Sequence, residues 1–141
     1  MTIVVAYVPT PEGQAALQQA ETEATRRKAR LLVVRAVKVS TSENTSAARE
    51  QARDTQRDRE ELDSVISQAA EAGIEVHGET VVIDRPNSIA ESVLSVVDRE
   101  NADLLVIGIR RRSPVGKAVM GSDAQDMLLQ ANCPVLAVKA D

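Results

Sequence analysis

Aromatic residues are nearly absent from this sequence, which has no Trp, no Phe and a single tyrosine, Tyr7. Aliphatic and small residues must therefore build the core, and a chain of 141 residues is long enough to form one domain around it. A ring in a bound ligand would lie between aliphatic side chains. The scarcity of aromatics also argues against binding of single-stranded nucleic acid, which depends on stacking.

Histidine and cysteine are equally scarce, because the sequence has one of each, His77 and Cys133. A lone cysteine cannot form an internal disulfide. One histidine and one cysteine also give neither a convincing catalytic triad nor a Cys/His metal site. We therefore predict no catalytic residues and no metal ligands.

Long apolar runs and an excess of positive charge are missing as well. No stretch approaches the roughly 18 apolar residues that cross a bilayer, and the initial TIVVAYV lacks the basic flank and cleavage site of a signal peptide. The net charge of −4 disfavours a broad surface for polyanions. We expect a cytoplasmic protein with no membrane or nucleic-acid partner.

Apolar stretches alternate with segments of helical spacing. The apolar stretches are residues 3–8, 31–37, 74–83, 104–109 and 134–138. The helical segments are residues 11–29, 47–72, 88–100 and a segment that follows Ser122. Thr10 and Pro11 suit the cap and first position of the first helix, and the first half of 47–72 is either a loop or a helix projecting into solvent. This alternation predicts one α/β domain over residues 1–141 with a parallel sheet.

The basic loop GIRRRSPVGKAVMGS, residues 108–122, is the strongest candidate for a ligand site. Ile107 and Gly108 end the fourth predicted strand at the carboxyl edge, where open α/β sheets bind ligands. Gly121 would let the backbone approach a ligand, and Ser122 could donate its hydroxyl where the last helix offers free N–H groups. Asp123, in the first turn of that helix, would repel a phosphate.

Common phosphate-binding motifs do not fit this loop. Gly116 and Lys117 match the centre of a P-loop, but Arg111 stands at its first glycine and Ala118 at its hydroxyl position. No G-x-G-x-x-G follows the first strand either. The arginines at 110–112 are therefore either ligand contacts or a solvated basic turn.

The pattern G-x2-R-x9-G-S, from Gly108 through Arg111 to Gly121 and Ser122, resembles the G-x2-G-x9-G-[ST] motif of the universal stress protein family. DMLLQANCPVLAV and IVVAYVPTPEGQAAL are similar to the family's closing and opening segments. This resemblance implies a three-layer α/β/α fold of the adenine-nucleotide α-hydrolase-like type, with an open parallel five-stranded sheet in the order 3-2-1-4-5. It also implies a homodimer formed through the last strand, residues 134–138.

The resemblance further implies a site for ATP or a related adenine nucleotide between the ends of strands one and four. Donors to the phosphates would come from Gly108, Gly121 and Ser122, and positive charge from Arg110 and Arg111. The predicted nucleotide-binding residues are Ala6, Val8, Ala36, Ile107, Gly108, Arg110, Arg111, Gly121, Ser122 and Asp123.

Two positions depart from the family pattern and leave a second hypothesis open. Val8 stands where nucleotide-binding members usually have an Asp. Arg111 replaces the second glycine, which costs about 1–2 kcal/mol if the position needs φ > 0, although its guanidinium could instead pair with a phosphate. The chain is then either a stress-response module that binds a nucleotide or a dimeric scaffold that does not. A third hypothesis, a slow nucleotide hydrolase, would have only Asp123 as a general base.

Overall fold

Strands and helices alternate along the chain, as the sequence predicts. The computed structural model describes residues 1–38, 45–83, 88–110 and 122–140. The strands are β1 (Thr2–Tyr7), β2 (Arg30–Lys38), β3 (Val76–Ile83), β4 (Leu104–Ile109) and β5 (Val135–Lys139). The helices are α1 (Pro11–Arg27), α2 (Thr45–Ala70), α3 (Ser88–Arg99) and α4 (Ser122–Gln130).

The five strands form one sheet in the order β3-β2-β1-β4-β5, and all neighbours are parallel. This confirms the predicted order. The central strand β1 pairs Tyr7 with Arg35 of β2 and Val5 with Val106 of β4. The chain continues to one side of β1 after α1 and returns to its other side after α3. That reversal opens a crevice at the carboxyl ends of β1 and β4.

Helices cover both faces of the sheet, which completes the predicted three layers. In β1, Ile3, Val5 and Tyr7 belong to the core beneath α1 and α2. Val4, between them, belongs to the core beneath α3 and α4, and Ala6 packs against that core. Because alternate side chains of a strand point to opposite faces, covering both faces requires the uninterrupted apolar runs seen in the sequence.

The first helix begins as predicted. Thr10 has extended backbone angles, and its Oγ1 accepts a hydrogen bond from the N–H of Gly13 at 3.1 Å. Pro11 occupies the first turn, where its missing N–H leaves no helical hydrogen bond unmade. The helix ends at Lys28, whose left-handed conformation (φ 54°) directs its N–H to the carbonyls of Ala24 and Thr25.

The second helical segment predicted from the sequence, residues 47–72, corresponds to one continuous helix, α2. Its first half is therefore a helix that projects into solvent and not a loop. Leu62, Val65 and Ala69 near the end of α2 are buried against the sheet. The described side chains between residues 49 and 60 are exposed. This division follows from the sequence, where the large apolar residues occur only in the second half.

Strand ends differ from the prediction by one or two residues. β3 begins at Val76 rather than 74, and β5 spans Val135–Lys139 rather than 134–138. β1 ends at Tyr7, so Val8 follows the strand and is 39% exposed. Within the described ranges, no helix has the length and apolar character needed to cross a bilayer.

Candidate functional site

A cavity of about 370 Å³ lies at the carboxyl edge of the sheet, within the size range of small-molecule sites. It is lined by residues at the ends of β1, β2 and β4 and by residues of α1, α3 and α4. The described lining residues are Ala6, Tyr7, Val8, Glu12, Val34, Ala36, Ile89, Val93, Ile107, Gly108, Ile109, Arg110, Ser122, Asp123, Ala124 and Met127. The cavity therefore occupies the crevice that the strand order creates.

Small side chains at the strand ends create the space. On the face covered by α3 and α4, β1 presents Val4 and then Ala6. On the same face, β2 presents Leu32 and Val34 and then Ala36 at the cavity. Because alanine fills less volume than valine or leucine, room remains beneath the helices where the strands finish. A flat, largely apolar ligand group fits such a space.

Tyr7, the last residue of β1, packs on the opposite face of the sheet, beneath α1 and α2. Its side chain is 1% exposed, and its hydroxyl donates to Glu61 Oε1 at 2.9 Å and accepts from Gln14 Nε2 at 2.8 Å. Burial, followed by the hydrogen bond and charge of Glu61, raises the pKa of Tyr7 to about 12. The hydroxyl is thus fully engaged in the α1/α2 core. A ligand ring in the cavity would meet mainly aliphatic side chains.

Glycines let the first turn of α1 rest directly on the strand ends. A Cβ at Gly108 would overlap the carbonyl group of Glu12, and one at Gly13 would overlap the carbonyl of Val8. Sequence reasoning explained Gly108 by backbone contact with a phosphate. The structure adds a packing reason, because only glycine allows α1 to come this close to β4.

An ion pair lies at the rim of the cavity. Glu12, in the first turn of α1, is 3.4 Å from Arg110 Nε, and its side chain is 16% exposed against 77% for Arg110. Sequence reasoning selected Arg110 but missed Glu12. The signal that could have found it is an acidic residue in the first helical turn after the central strand, since that turn adjoins the carboxyl edge of β4.

The first turn of α4 brings a second carboxylate to the cavity. Ser122, where the helix begins, is exposed, whereas Asp123 is half-buried. The Oδ1 atom of Asp123 is buried and has no hydrogen-bond partner among the described residues. A buried polar atom without a partner is uncommon in folded proteins and calls for a physical explanation.

Eight of the ten predicted site residues line this one cavity. They are Ala6, Val8, Ala36, Ile107, Gly108, Arg110, Ser122 and Asp123. Arg111 and Gly121 lie outside the described residues. The cavity thus gathers residues from both ends of the sequence, while their contacts with a nucleotide stay a prediction.

Several lining residues belong to the apolar faces of helices. Ile89 and Val93 of α3 and Met127 of α4 line the cavity and also belong to the core beneath these helices or pack against it. Helical periodicity shows which face is apolar but not whether a strand lies beneath it. These residues reach the cavity because α3 and α4 lie over the strand ends, where the side chains of Ala6 and Ala36 are small.

The single histidine and cysteine lie away from the cavity. His77 is exposed on β3, with Nε2 2.9 Å from Glu75 Oε1, and this hydrogen bond lowers the pKa of Glu75. Cys133 is half-buried before β5, and burial raises the pKa of its thiol. Among the described residues, no three His, Cys, Asp or Glu side chains are placed to hold a metal ion.

The strand order and the cavity define an α/β protein with a cavity at the carboxyl edge of a parallel sheet. The sequence model of the universal stress protein family matches residues 1–139. The chain is 38% identical to a universal stress protein of Mycolicibacterium smegmatis over 139 residues, covering 97% of this chain and 96% of that protein. The chain therefore belongs to the universal stress protein family.

Solved structures agree with this assignment. A universal stress protein from Archaeoglobus fulgidus superimposes with a TM-score of 0.71 at 27% identity, covering 98% of this chain and 97% of that one. A structure of the universal stress protein from the same organism in complex with dAMP gives a TM-score of 0.67 at 22% identity, covering 98% and 96%. The second similarity concerns the fold alone.

Proposed function

We propose that this protein is a stress-response binding module that holds an adenine nucleotide in the cavity at the carboxyl edge. The observation that supports this most strongly is the convergence of the predicted site residues on one cavity of about 370 Å³. Ala6, Ala36 and Ile107 would contact the base or ribose. Arg110 at the rim supplies positive charge. The dAMP complex of a protein with the same fold adds support.

The proposed role is binding in the cytoplasm rather than catalysis. His77 and Cys133, the side chains most often used as base and nucleophile, do not line the cavity. The reactive groups in its described lining are the carboxylates of Glu12 and Asp123 and the hydroxyl of Ser122. With Glu12 paired to Arg110, they form no arrangement of nucleophile, base and orienting group.

Calorimetric titration with adenosine, AMP, cyclic AMP, ADP and ATP tests the proposal. We expect saturable binding by the wild-type protein and a loss of at least about tenfold in affinity for Ala36→Phe, whose ring would fill the cavity. Ala70→Phe is the matched control, because Ala70 is exposed at the end of α2 and is not among the described lining residues of the cavity. Circular dichroism of both variants confirms that they are folded.

Two outcomes would contradict nucleotide binding in this cavity. The first is the absence of heat with every ligand at millimolar concentration. The second is equal binding by wild type, Ala36→Phe and Ala70→Phe. Arg111→Gly, which restores the family's glycine, then tests the alternative scaffold function. A gain of binding in this variant alone would attribute the loss to the altered motif.

We also propose that the protein forms a homodimer through β5. Within the described part of the chain, this strand is an edge of the sheet that pairs with β4 alone, and its residues from Val135 to Val138 are all half-buried. An apolar edge strand with free backbone groups favours pairing with a second strand. The other edge, β3, is more polar and carries the exposed His77 and the half-buried Glu79.

Multi-angle light scattering tests the dimer with one valine from each edge strand. Val138→Lys changes β5, and Val82→Lys makes the same change on β3, where Val82 is 62% exposed. We expect wild type and Val82→Lys to have the mass of a dimer and Val138→Lys that of a monomer. A monomeric wild type, or a dimer broken only by Val82→Lys, would contradict the proposal.

A further inference from the structure

We propose that Asp123 determines which nucleotide this cavity prefers. Its Oδ1 accepts a hydrogen bond from a hydroxyl or amino group of a nucleoside, and its charge disfavours a triphosphate beside it. The inference rests on the proposed function, because it names the class of ligand for the same cavity. That class is a nucleoside or nucleoside monophosphate that presents a hydrogen-bond donor to the first turn of α4.

The first argument is the unsatisfied oxygen. Asp123 lines the cavity, and its Oδ1 is buried without a hydrogen-bond partner among the described residues. A carboxylate oxygen accepts hydrogen bonds and cannot donate them. A ligand that satisfies it must therefore offer an O–H or N–H group. A phosphate ester oxygen offers only further acceptors.

The second argument is the charge of the cavity. Its described lining contains two carboxylates, Glu12 and Asp123, and one guanidinium, that of Arg110. The guanidinium is already 3.4 Å from Glu12. Asp123 also occupies the first turn of α4, where its charge compensates the positive end of the helix dipole that would otherwise attract a phosphate. Among the described lining residues, each added phosphate group therefore meets more negative than positive charge.

The third argument is the shape of the cavity. Its volume of about 370 Å³ is near the lower end of ordinary ligand sites. Alanines and branched aliphatic side chains supply most of its lining, which suits an uncharged purine ring. Size, charge and the unpaired acceptor thus favour the same class of small ligand with few charges.

Paired substitutions separate this role from a general effect of charge. Asp123→Asn keeps an acceptor oxygen but removes the charge, and Asp123→Ala removes both. Asp126→Asn is the matched control, because Asp126 lies in the same helix but outside the described lining of the cavity. The ligands are adenosine, AMP and ATP, with 2′,3′-dideoxyadenosine lacking two ribose hydroxyls and purine riboside lacking the exocyclic amine.

The decisive quantity is the ratio of ATP affinity to adenosine affinity. We expect Asp123→Asn to raise this ratio at least about tenfold over wild type and Asp126→Asn to change it by less than about threefold. In the wild type, dideoxyadenosine or purine riboside should bind more weakly than adenosine. Asp123→Ala should abolish that difference for the analogue whose missing group faces Oδ1.

Failure of this inference is distinct from failure of the proposed function. If wild type binds ATP or adenosine but Asp123→Asn and Asp126→Asn have the same ratio, Asp123 does not set the preference and nucleotide binding still stands. Analogues that bind wild type as tightly as adenosine would likewise overturn the hydrogen bond to Oδ1. Absence of binding by every ligand would overturn the proposed function and this inference with it.

Discussion

At the amino ends of the strands charged side chains pair with one another, whereas at the carboxyl ends a buried carboxylate oxygen has no partner among the described residues. Arg30, at the start of β2, is 2.8 Å from Glu100. Arg99, at the end of α3, is 2.7 Å from Glu79 and 3.2 Å from Glu100. Asp103, just before β4, accepts a hydrogen bond from the N–H of Thr2 at 2.9 Å.

Among the described residues, charged groups are therefore paired at the amino ends of the sheet, whereas a hydrogen-bond acceptor stays unpaired at the carboxyl ends. A second cavity of about 270 Å³ adjoins the amino ends, but two of its charged residues are already engaged, Arg30 by Glu100 and Glu75 by His77. The cavity at the carboxyl ends is larger, mainly aliphatic, and keeps Asp123 Oδ1 unsatisfied. Unmet hydrogen-bonding capacity beside an apolar cavity is a property of binding sites rather than of structural contacts.

The largest expected effect comes from disturbing the contact between α1 and β4 at the carboxyl end. Gly108→Ala places a Cβ against the carbonyl of Glu12, so the first turn of α1 must shift. We expect the free energy of unfolding to fall by about 2–3 kcal/mol, as for overpacked cores. Urea unfolding of the wild type and the variant measures this loss.

Gly73→Ala is the control for that substitution, since Gly73 lies beyond α2, near the amino ends of the strands. Its φ of +84° favours glycine, but a Cβ there would have no neighbour within 4 Å. We expect a loss of about 1 kcal/mol, from backbone strain alone. A greater loss for Gly73→Ala than for Gly108→Ala would show that α1 tolerates displacement and that the close contact is not required.

An intermediate effect is expected from Tyr7→Phe. This substitution removes the buried hydroxyl at the carboxyl end of β1, on the face of the sheet covered by α1 and α2. The variant loses the hydrogen bonds to Glu61 and from Gln14 inside the α1/α2 core. We expect the free energy of unfolding to fall by about 1–3 kcal/mol at neutral pH. Urea unfolding measures the difference, and an unchanged stability would mean that water replaces the hydroxyl at no cost.

The pH dependence of that difference provides a second readout. Burial and Glu61 raise the pKa of Tyr7 to about 12 in the folded protein, from 10.0. The folded state holds the hydroxyl proton of Tyr7 more tightly than the unfolded state. The contribution of this hydroxyl to the free energy of unfolding is therefore complete below about pH 10 and is lost as the pH rises through about 12. The stability difference between wild type and Tyr7→Phe should therefore shrink between about pH 10 and about pH 12. A constant difference would contradict the raised pKa.

The smallest effect is expected at the amino end, from Arg99→Gln. Arg99 contacts both Glu79 and Glu100, but its side chain is 54% exposed, so solvent and ions screen these pairs. We expect a slight fall in the midpoint of thermal unfolding at low salt that disappears at about 1 M salt. Arg26→Gln, which removes a single exposed pair with Glu23 at 3.7 Å, is the control. A fall for Arg99→Gln that persists in high salt would show that this network stabilises the fold by more than screened charge.

Much of the fold was predictable because the preferences of short segments agree with the overall arrangement of strands and helices. Thr10 and Pro11 define the start of α1 by capping chemistry that depends only on neighbouring residues. The uninterrupted apolar runs of β1 and β4 require helices on both faces, which limits the fold to a parallel α/β sheet. The projecting half of α2 was left between two interpretations, because an exposed helix without large apolar residues resembles a loop in sequence.

The candidate site was predictable only in part. Gly108 and Ser122 belong to a motif with fixed spacing, so the sequence identifies them directly. Glu12 was not predicted, because its role depends on an ion pair with a distant residue. It lies 3.4 Å from Arg110, which is 98 positions further along the chain. The burial of Asp123 Oδ1 likewise depends on helices and strands that surround it in space, and no local pattern reports such burial.

The sequence by itself determined the alternation of strands and helices, the aliphatic core and the family, because periodicity, capping and motif spacing are properties of neighbouring residues. Only the tertiary structure decided that Ala6 and Ala36 leave a cavity, that Glu12 reaches Arg110, and that one oxygen of Asp123 is buried without a described partner. Volume, ion pairing and burial arise between residues that are distant along the chain. They are therefore fixed by the packing of α1, α3 and α4 on the sheet.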